Sequence, residues 1–419
     1  MEPLSPLSGV RIVELTAYGF VPSGAAILAD WGADVVRIEH PRNPDPMRGL
    51  MTTTDPRDGA VVDTLFDQFN RGKRCLALDV GEADGLAILY RLIRGADVFI
   101  TSLLKPAQEK LRIRYEDLRQ IHPRLIFAHG HGYGANGPDA DRPGFDSIAY
   151  WARGGVGHAL TFQGSPPAAQ RAAFGDVMGG LAMASGISAA LVHQRATGQG
   201  CAVDVSLLAL ACWQMAPDIL KCEIDHQDAQ RAPPAAGDAG LFNYETRDGR
   251  YLNLPLLLPK YLVNVLQALG REDLLADPRV RDFKGGVAPS GLEHELRGQF
   301  RSMSAGEIRA RFQGREIAWS IWQTPEEVLA DPQVTANRFV VENPGAASRH
   351  LIPAPVQFNQ QPPRIARPAP AQGEHSVEIL RQCGLEPARI DALLASGVVA
   401  QGDPGGWDDF GRLKRTQGS

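Results

Sequence analysis

Short β-branched apolar runs alternate with longer amphipathic ones through the first part of the chain. G-V-R-I-V-E-L (9–15) and A-D-V-V-R-I-E-H (33–40) read as strands. Between them P-S-G-A-A-I-L-A-D-W-G (22–32) reads as a helix, with Pro22 near its start and Gly32 after its end. A strand–helix–strand unit this compact implies parallel strands joined by a right-handed crossover. The pattern recurs in K-R-C-L-A-L-D-V (73–80), a helix near 82–94, A-D-V-F-I-T-S (96–102), a helix near 115–121 and R-L-I-F-A-H-G (124–130). Residues 1–224 are therefore expected to form a large open α/β domain. No G-x-G-x-x-G follows the first strand, where the chain reads T-A-Y-G-F-V-P-S-G, so nicotinamide and flavin chemistry are disfavoured.

After residue 222 the texture changes. The polar, Pro- and Gly-bearing stretch 225–240 reads as a linker. F-N-Y-E-T-R-D-G-R-Y-L-N-L (242–254) predicts a hairpin about Asp248 and Gly249, and 251–260 predicts a buried strand. With helices near 259–269 and 304–313, a smaller α+β domain is expected over 241–335. Six prolines between 353 and 370 predict an extended arm within a return segment, 336–400, that packs on the large domain. Short helices are expected at 376–384 and 387–397, and 401–419 reads as a polar, frayed tail.

The 419 residues exceed what one simple core accommodates, and 44% hydrophobic with 22% charged content is that of a soluble globular protein. A net charge of −5 offers no general attraction to nucleic acid or anionic membranes. The start lacks the pattern of a signal peptide, and no run is expected to approach the ~18 apolar residues of a membrane span. Five scattered cysteines without a C-x-x-C pair point to a reduced, cytoplasmic setting with buried thiols. The histidines are dispersed, and no metal-ligand cluster is expected.

One ionisable group stands out. In R-A-A-F-G-D-V-M-G-G (171–180) Asp176 precedes an apolar helical run. Local sequence favours an N-cap, worth about 1 kcal/mol. Gly179, Gly180 and Gly186 inside that helix each cost about 1 kcal/mol against Ala, which suits a close-approaching backbone or ligand. With Gly175 before it, the carboxylate is open enough to serve as a covalent nucleophile.

An ordered set of motifs carries a family resemblance: L-S-G-V-R-I-V-E-L-T (7–16), A-D-W-G-A-D-V-V-R-I-E-H-P (29–41), D-P-M-R (45–48), N-R-G-K-R-C-L-A-L-D (70–79), I-R-Y-E-D-L-R-Q-I-H-P-R-L-I-F (113–127), G-Y-G-A-N-G-P-D-A-D-R-P-G-F-D (132–146), the Gly175-Asp176 pair and G-E-H (373–375). Together they resemble the type III CoA-transferase family, which also includes α-methylacyl-CoA racemases. The resemblance implies a Rossmann-like large domain, a smaller α+β domain and an interlocked homodimer in which each chain threads the other. It implies CoA and acyl-CoA as substrates, a carboxylic acid acceptor, and no prosthetic group, nucleic acid or membrane partner.

The resemblance also implies that Asp176 attacks the acyl-CoA carbonyl and goes on to hold CoA as an aspartyl thioester. CoA contacts would fall on Tyr18, Gly19 and Phe20, on His40, and on Asn70, Arg71, Gly72 and Lys73. Further contacts would fall on Ser102, Leu103 and Leu104, on Lys110, and on His131, Gly132, Tyr133 and Gly134, with Lys73 and Lys110 as phosphate ligands. Backbone N–H groups at the start of the helix bearing Asp176 would stabilise the oxyanion. His40 stands where the family commonly has Arg, Ser102-Leu103-Leu104 replaces a common Asn-Phe-Arg or Asn-Phe-Gly, and a covering glycine loop falls on 237–240. Phe145 stands where a racemase has a proton-shuttling His, which leaves racemisation as the alternative and CoA binding without turnover as a minor one. Asp146 reads as the cap of a helix over 147–152, and His129 and His131 as strand-end or turn histidines.

Overall fold

A computed structural model describes residues 3–230, 232–233, 242–344, 349–402 and 406–414. The chain divides into two compact units, one of residues 1–231 with 333–419 and one of residues 232–332.

The large unit is built on a seven-stranded sheet. Strand β1 (Arg11–Leu15) leads into helix α1 (Phe20–Asp30) and strand β2 (Asp34–Glu39). Helix α2 (Thr64–Asn70) precedes strand β3 (Arg74–Leu78), and helix α3 (Ala83–Arg94) leads to strand β4 (Val98–Thr101). Helix α4 (Lys105–Leu111), strand β5 (Ile126–His131), helix α5 (Phe174–Thr197), strand β6 (Ala202–Ser206) and strand β7 (Val399–Ala400) complete it. The strand order is β7-β3-β2-β1-β4-β5-β6, parallel except for β7, whose Val399 pairs antiparallel with Leu78 of β3.

Both faces of this sheet are covered, as a parallel sheet requires. Ile12, Val98, Ile100 and Ile126 join α1 and α5 in one core, with Leu28, Met183 and Ile187. Their neighbours Val13, Phe99 and Phe127 point the other way, into a core with Leu89, Ile93, Ile379 and Leu380. The glycines of α5 belong to the first core. A Cβ on Gly180 would stand 2.1 Å from Ser23 Oγ, one on Gly179 would stand 2.3 Å from the Phe20 ring, and one on Gly24 would stand 3.0 Å from the Gly180 carbonyl oxygen. They let α1 and α5 approach backbone to backbone, which accounts for the helix-propensity cost without a ligand.

Two sequence expectations fail here. Helix α5 is long and apolar enough by length and composition to cross a membrane, because its charges sit near its ends; in this fold it packs on α1 and the sheet. The expected frayed tail is held over 406–414: the Trp407 indole N–H donates to the Gln372 carbonyl at 2.8 Å, and Leu413 N–H donates to the Gln372 side-chain oxygen at 2.9 Å. A polar tail can be anchored by one buried amide, a pairing with no local signature.

In the small unit Asn243–Glu245 and Tyr251–Asn253 form the hairpin, and Ser320–Ile321 adds a third strand. Leu252, Leu254 and Leu256 alternate into a core with helices Pro259–Leu269 and Ala305–Phe312. The glycines expected to cover the site, Gly237 and Gly240, lie outside the described residues.

Candidate active site

Helix α5 brings Asp176 into its first turn but does not use it as a cap. The residue before the helix is Ala173, at φ +60°, and no side chain of its own caps the turn. The cap comes from Asp146, whose two carboxylate oxygens accept the Gly175 N–H at 3.1 and 3.0 Å and which also accepts the Asp176 N–H. Asp146 therefore caps α5 rather than a helix over 147–152, in which it is itself the first residue. Two of the N–H groups at the start of α5, where an oxyanion was expected to be stabilised, are occupied by this carboxylate.

Freed from capping, the Asp176 carboxylate points toward α1. A Cβ built on Gly19 would stand 2.7 Å from Asp176 Oδ2, 3.1 Å from the Phe69 ring and 3.4 Å from Met47 Cε. Ser23 ties the two helices at this level, its hydroxyl donating to the Phe20 carbonyl at 2.7 Å and the Asp176 carbonyl at 3.2 Å. Burial, and secondarily the negative charge of Asp146, push the Asp176 carboxyl up to about 7. Among the described residues no hydrogen bond or cation offsets that burial. A desolvated carboxylate with an open approach and an elevated pKa has the character of a nucleophile.

The rest of the site lies at the carboxyl ends of β1, β4 and β5, beside the switch point between β1 and β4 where open α/β sheets bind ligands. Tyr18 adopts φ +65°, its N–H donates to Asp45 Oδ1 at 3.1 Å, and its ring meets Phe145 edge-on at 5.0 Å. Phe20 opens α1. Ser102 accepts the Ala17 N–H at 3.2 Å, Leu103 offers its carbonyl to His129, and Leu104 precedes α4. Gly132 lies against Gly144, where a Cβ would stand 2.6 Å from the Gly144 Cα. Tyr133 lies under the Arg153 guanidinium, and Gly134 takes φ +110°. Lys110 is exposed on the last turn of α4.

In the segment 70–73, expected to contact CoA, three side chains turn inward. Asn70 and Lys73 are fully buried, and Arg71 is 3% exposed. Lys73 Nζ lies 2.8 Å from Glu14 Oε2 and donates to Asn70 Oδ1 at 3.0 Å and the Pro22 carbonyl at 2.9 Å. Arg71 pairs with Asp30 at 2.6 Å, and Gly72 sits at φ +79° with its N–H on the Arg367 carbonyl. Three acceptors thus hold the Lys73 ammonium inside the fold. His40 is half-buried and already engaged: Nε2 is 3.2 Å from Asp79 Oδ2, and Nδ1 accepts the N–H groups of Arg42 and Asn43.

Histidines apart in sequence meet across β5 and β6. The His129 and His131 rings lie 3.9 Å apart, His131 Nε2 is 2.7 Å from Asp204 Oδ1, and the three residues present ligand atoms within 4.8 Å. This corrects the expectation of no metal-ligand cluster: residues 129 and 131 share one face of β5, and Asp204 is the register partner of His129 on β6. Each histidine already has protein partners, His129 lying 2.8 Å from the Leu103 carbonyl. Burial and the neighbouring His131 lower His129 to about 4, so it stays neutral near pH 7. Sequence reasoning also passed over Arg37 and Asp45, although D-P-M-R contains the latter.

A family model described as CoA-transferase family III matches residues 7–376. The chain is similar to the (R)-2-hydroxy-4-methylpentanoate CoA-transferase of Clostridioides difficile, 32% identical over 407 residues that cover 94% of this chain and 99% of that protein. It is similar to the cinnamoyl-CoA:phenyllactate CoA-transferase of Clostridium sporogenes, 31% identical over 402 residues that cover 92% and 95%. A crystal structure of a CAIB/BAIF family protein from Brucella suis shares the fold, with a TM-score of 0.76 at 24% identity over 91% of this chain and 100% of that one.

Proposed function

We propose that this chain, which belongs to CoA-transferase family III and transfers CoA from an acyl-CoA to a carboxylic acid, does so through a covalent intermediate on Asp176. The observation that carries this reading is the Asp176 carboxylate itself, largely buried, unpaired among the described residues, raised to about 7 and facing the gap at Gly19.

The carboxylate attacks the acyl-CoA carbonyl and CoA leaves as thiolate, giving an aspartyl–acyl anhydride. The thiolate attacks the aspartyl carbonyl, the donor acid departs as carboxylate, and CoA rests on Asp176 as a thioester. The acceptor carboxylate then attacks that thioester and releases thiolate. The thiolate attacks the acceptor's acyl carbon, which yields the new acyl-CoA and restores Asp176. A carboxylate suits this route because acyl activation is conserved throughout, alternately as thioester and as anhydride, and is never lost to hydrolysis. The close packing of Gly19, Phe69 and Met47 around it keeps water from the anhydride. Gly19, Phe20 and Val21 open α1 with backbone N–H groups that a helix leaves without internal acceptors, and these are the oxyanion donors closest to hand.

Apolar side chains beside the nucleophile favour acids with apolar tails. Phe174, Val177 and Met178 are exposed next to Asp176, and a second carboxylate on the acid would meet the charges of Asp146 and Asp176. The two relatives above are named for 2-hydroxy-4-methylpentanoate and for phenyllactate with cinnamoyl-CoA. A homodimer belongs to the same reading, supported by Trp213 and Ile224, which the single chain leaves 83% and 82% exposed.

The test is to incubate the enzyme with acyl-CoA, reduce with borohydride and map the modified peptide by mass spectrometry. The reading expects the label on the peptide carrying Asp176, and exchange lost with CoA binding kept in Asp176→Ala. A label elsewhere, or exchange that survives the substitution, sinks it.

A further inference from the structure

Behind the Tyr18 turn lies a buried ion network. Three carboxylates, Glu14, Glu39 and Asp45, and three cations, Arg37, Arg48 and Lys73, are each at most 5% exposed. Arg37 reaches Glu39 Oε1 at 3.0 Å, Glu14 Oε1 at 3.3 Å, Asn70 Oδ1 at 2.9 Å and Asp45 Oδ2. Arg48 pairs with Glu39 at 2.7 Å, and Lys73 with Glu14. Burying six charges costs several kcal/mol for each before pairing returns it, and well-packed apolar residues are often no less stable. Stability alone is a weak reason to keep such a network.

Its connection to the nucleophile runs through Asp45. One carboxylate oxygen faces Arg37, while the other accepts the N–H groups of Tyr18 at 3.1 Å and Met47 at 2.9 Å. Tyr18 is the residue held at φ +65°, a conformation that costs a non-glycine residue on the order of 1 kcal/mol unless its surroundings enforce it. The next residue, Gly19, makes the approach to Asp176 Oδ2, and the Met47 side chain reaches the same point. Asp45 thus grips the backbone of both segments that wall the nucleophile.

We propose that Asp45 is a positioning residue for the transfer reaction: anchored by Arg37, it holds the turn at Tyr18 and Gly19, together with Met47, against the carboxylate of Asp176. The proposal rests on Asp176 being the nucleophile. It requires a carboxylate, because one oxygen must accept two N–H groups while the other accepts from Arg37. An asparagine would turn its NH₂ toward one set of donors and lose that link.

The experiment uses the full chain with Asp45→Asn and, as the variant that keeps the charge but displaces it, Asp45→Glu. Melting temperature, kcat, KM for the acyl-CoA and the rate of borohydride-trapped labelling are measured for each. In folded variants kcat should fall about 10- to 100-fold, by a larger factor than any rise in KM, and labelling should slow by the same factor as kcat on the same peptide. Wild-type kcat in either folded variant overturns the proposal, as does a loss carried entirely by KM. If instead the wild-type enzyme carries no label on Asp176, the nucleophile reading fails, an outcome separate from an unchanged rate in the Asp45 variants.

Discussion

Replacing Asp176 with Asn should abolish transfer and stabilise the protein at neutral pH. The folded chain holds a proton on Asp176 up to about 7, whereas the unfolded chain releases it near the ordinary 3.8. Between those values the folded state binds more protons, so this group's contribution to stability falls as pH rises through the window. Each tenfold in proton affinity is worth about 1.4 kcal/mol, which sets a ceiling of about 4 kcal/mol for the full penalty above pH 7. Residual solvent access trims this, so a gain of about 2–4 kcal/mol is expected for Asp176→Asn at about pH 8, vanishing near pH 4. Urea denaturation of both proteins across that range measures it. A gap that does not change with pH, or a variant less stable at about pH 8, would refute the claim that the charge is buried without compensation.

Two further predictions concern its neighbours. Asp146→Asn should move the acid limb of the kcat/KM profile to lower pH, because Asp146 raises the Asp176 carboxyl; the limb stays above the ordinary carboxylate range, since burial is the larger cause. A limb that stays put or moves upward counts against that coupling. Lys73→Met should lower stability by less than the ~3–5 kcal/mol of a wholly unpaired buried charge, because Arg37 still faces Glu14, with the acyl-CoA KM of the folded protein unchanged. Melting curves beside saturation kinetics check this, and a raised KM at unchanged stability would return Lys73 to the phosphate site.

Five strands of the large sheet were legible as short apolar runs with Gly or Pro near the crossovers, as Pro22 and Gly32 show around α1, whereas Ala202–Ser206 and Val399–Ala400 carry too little local pattern to stand out. Asp176 was legible as a residue but not as a geometry. The capping rule looks at the residue before a helix, whereas the cap of α5 comes from Asp146, about thirty positions away in sequence. N-R-G-K-R looked like a cationic surface because local pattern cannot show Glu14 and Asp30 arriving from other elements to bury it. The meeting of His129, His131 and Asp204 depended on the register of β5 with β6, which no window along the chain contains.

Strand β7 gives the order of synthesis a physical consequence. Residues 399–400 close the open side of β3, so a nascent chain carries β3 as a bare edge until residue 400 has left the ribosome. The unit of residues 232–332 is continuous and can fold during that wait, while the large unit must hold its first 231 residues incomplete. Arg74–Leu78, buried along its whole length in the finished sheet, is then an exposed hydrogen-bonding edge. Termination ahead of residue 399 should therefore yield aggregates rather than a working enzyme.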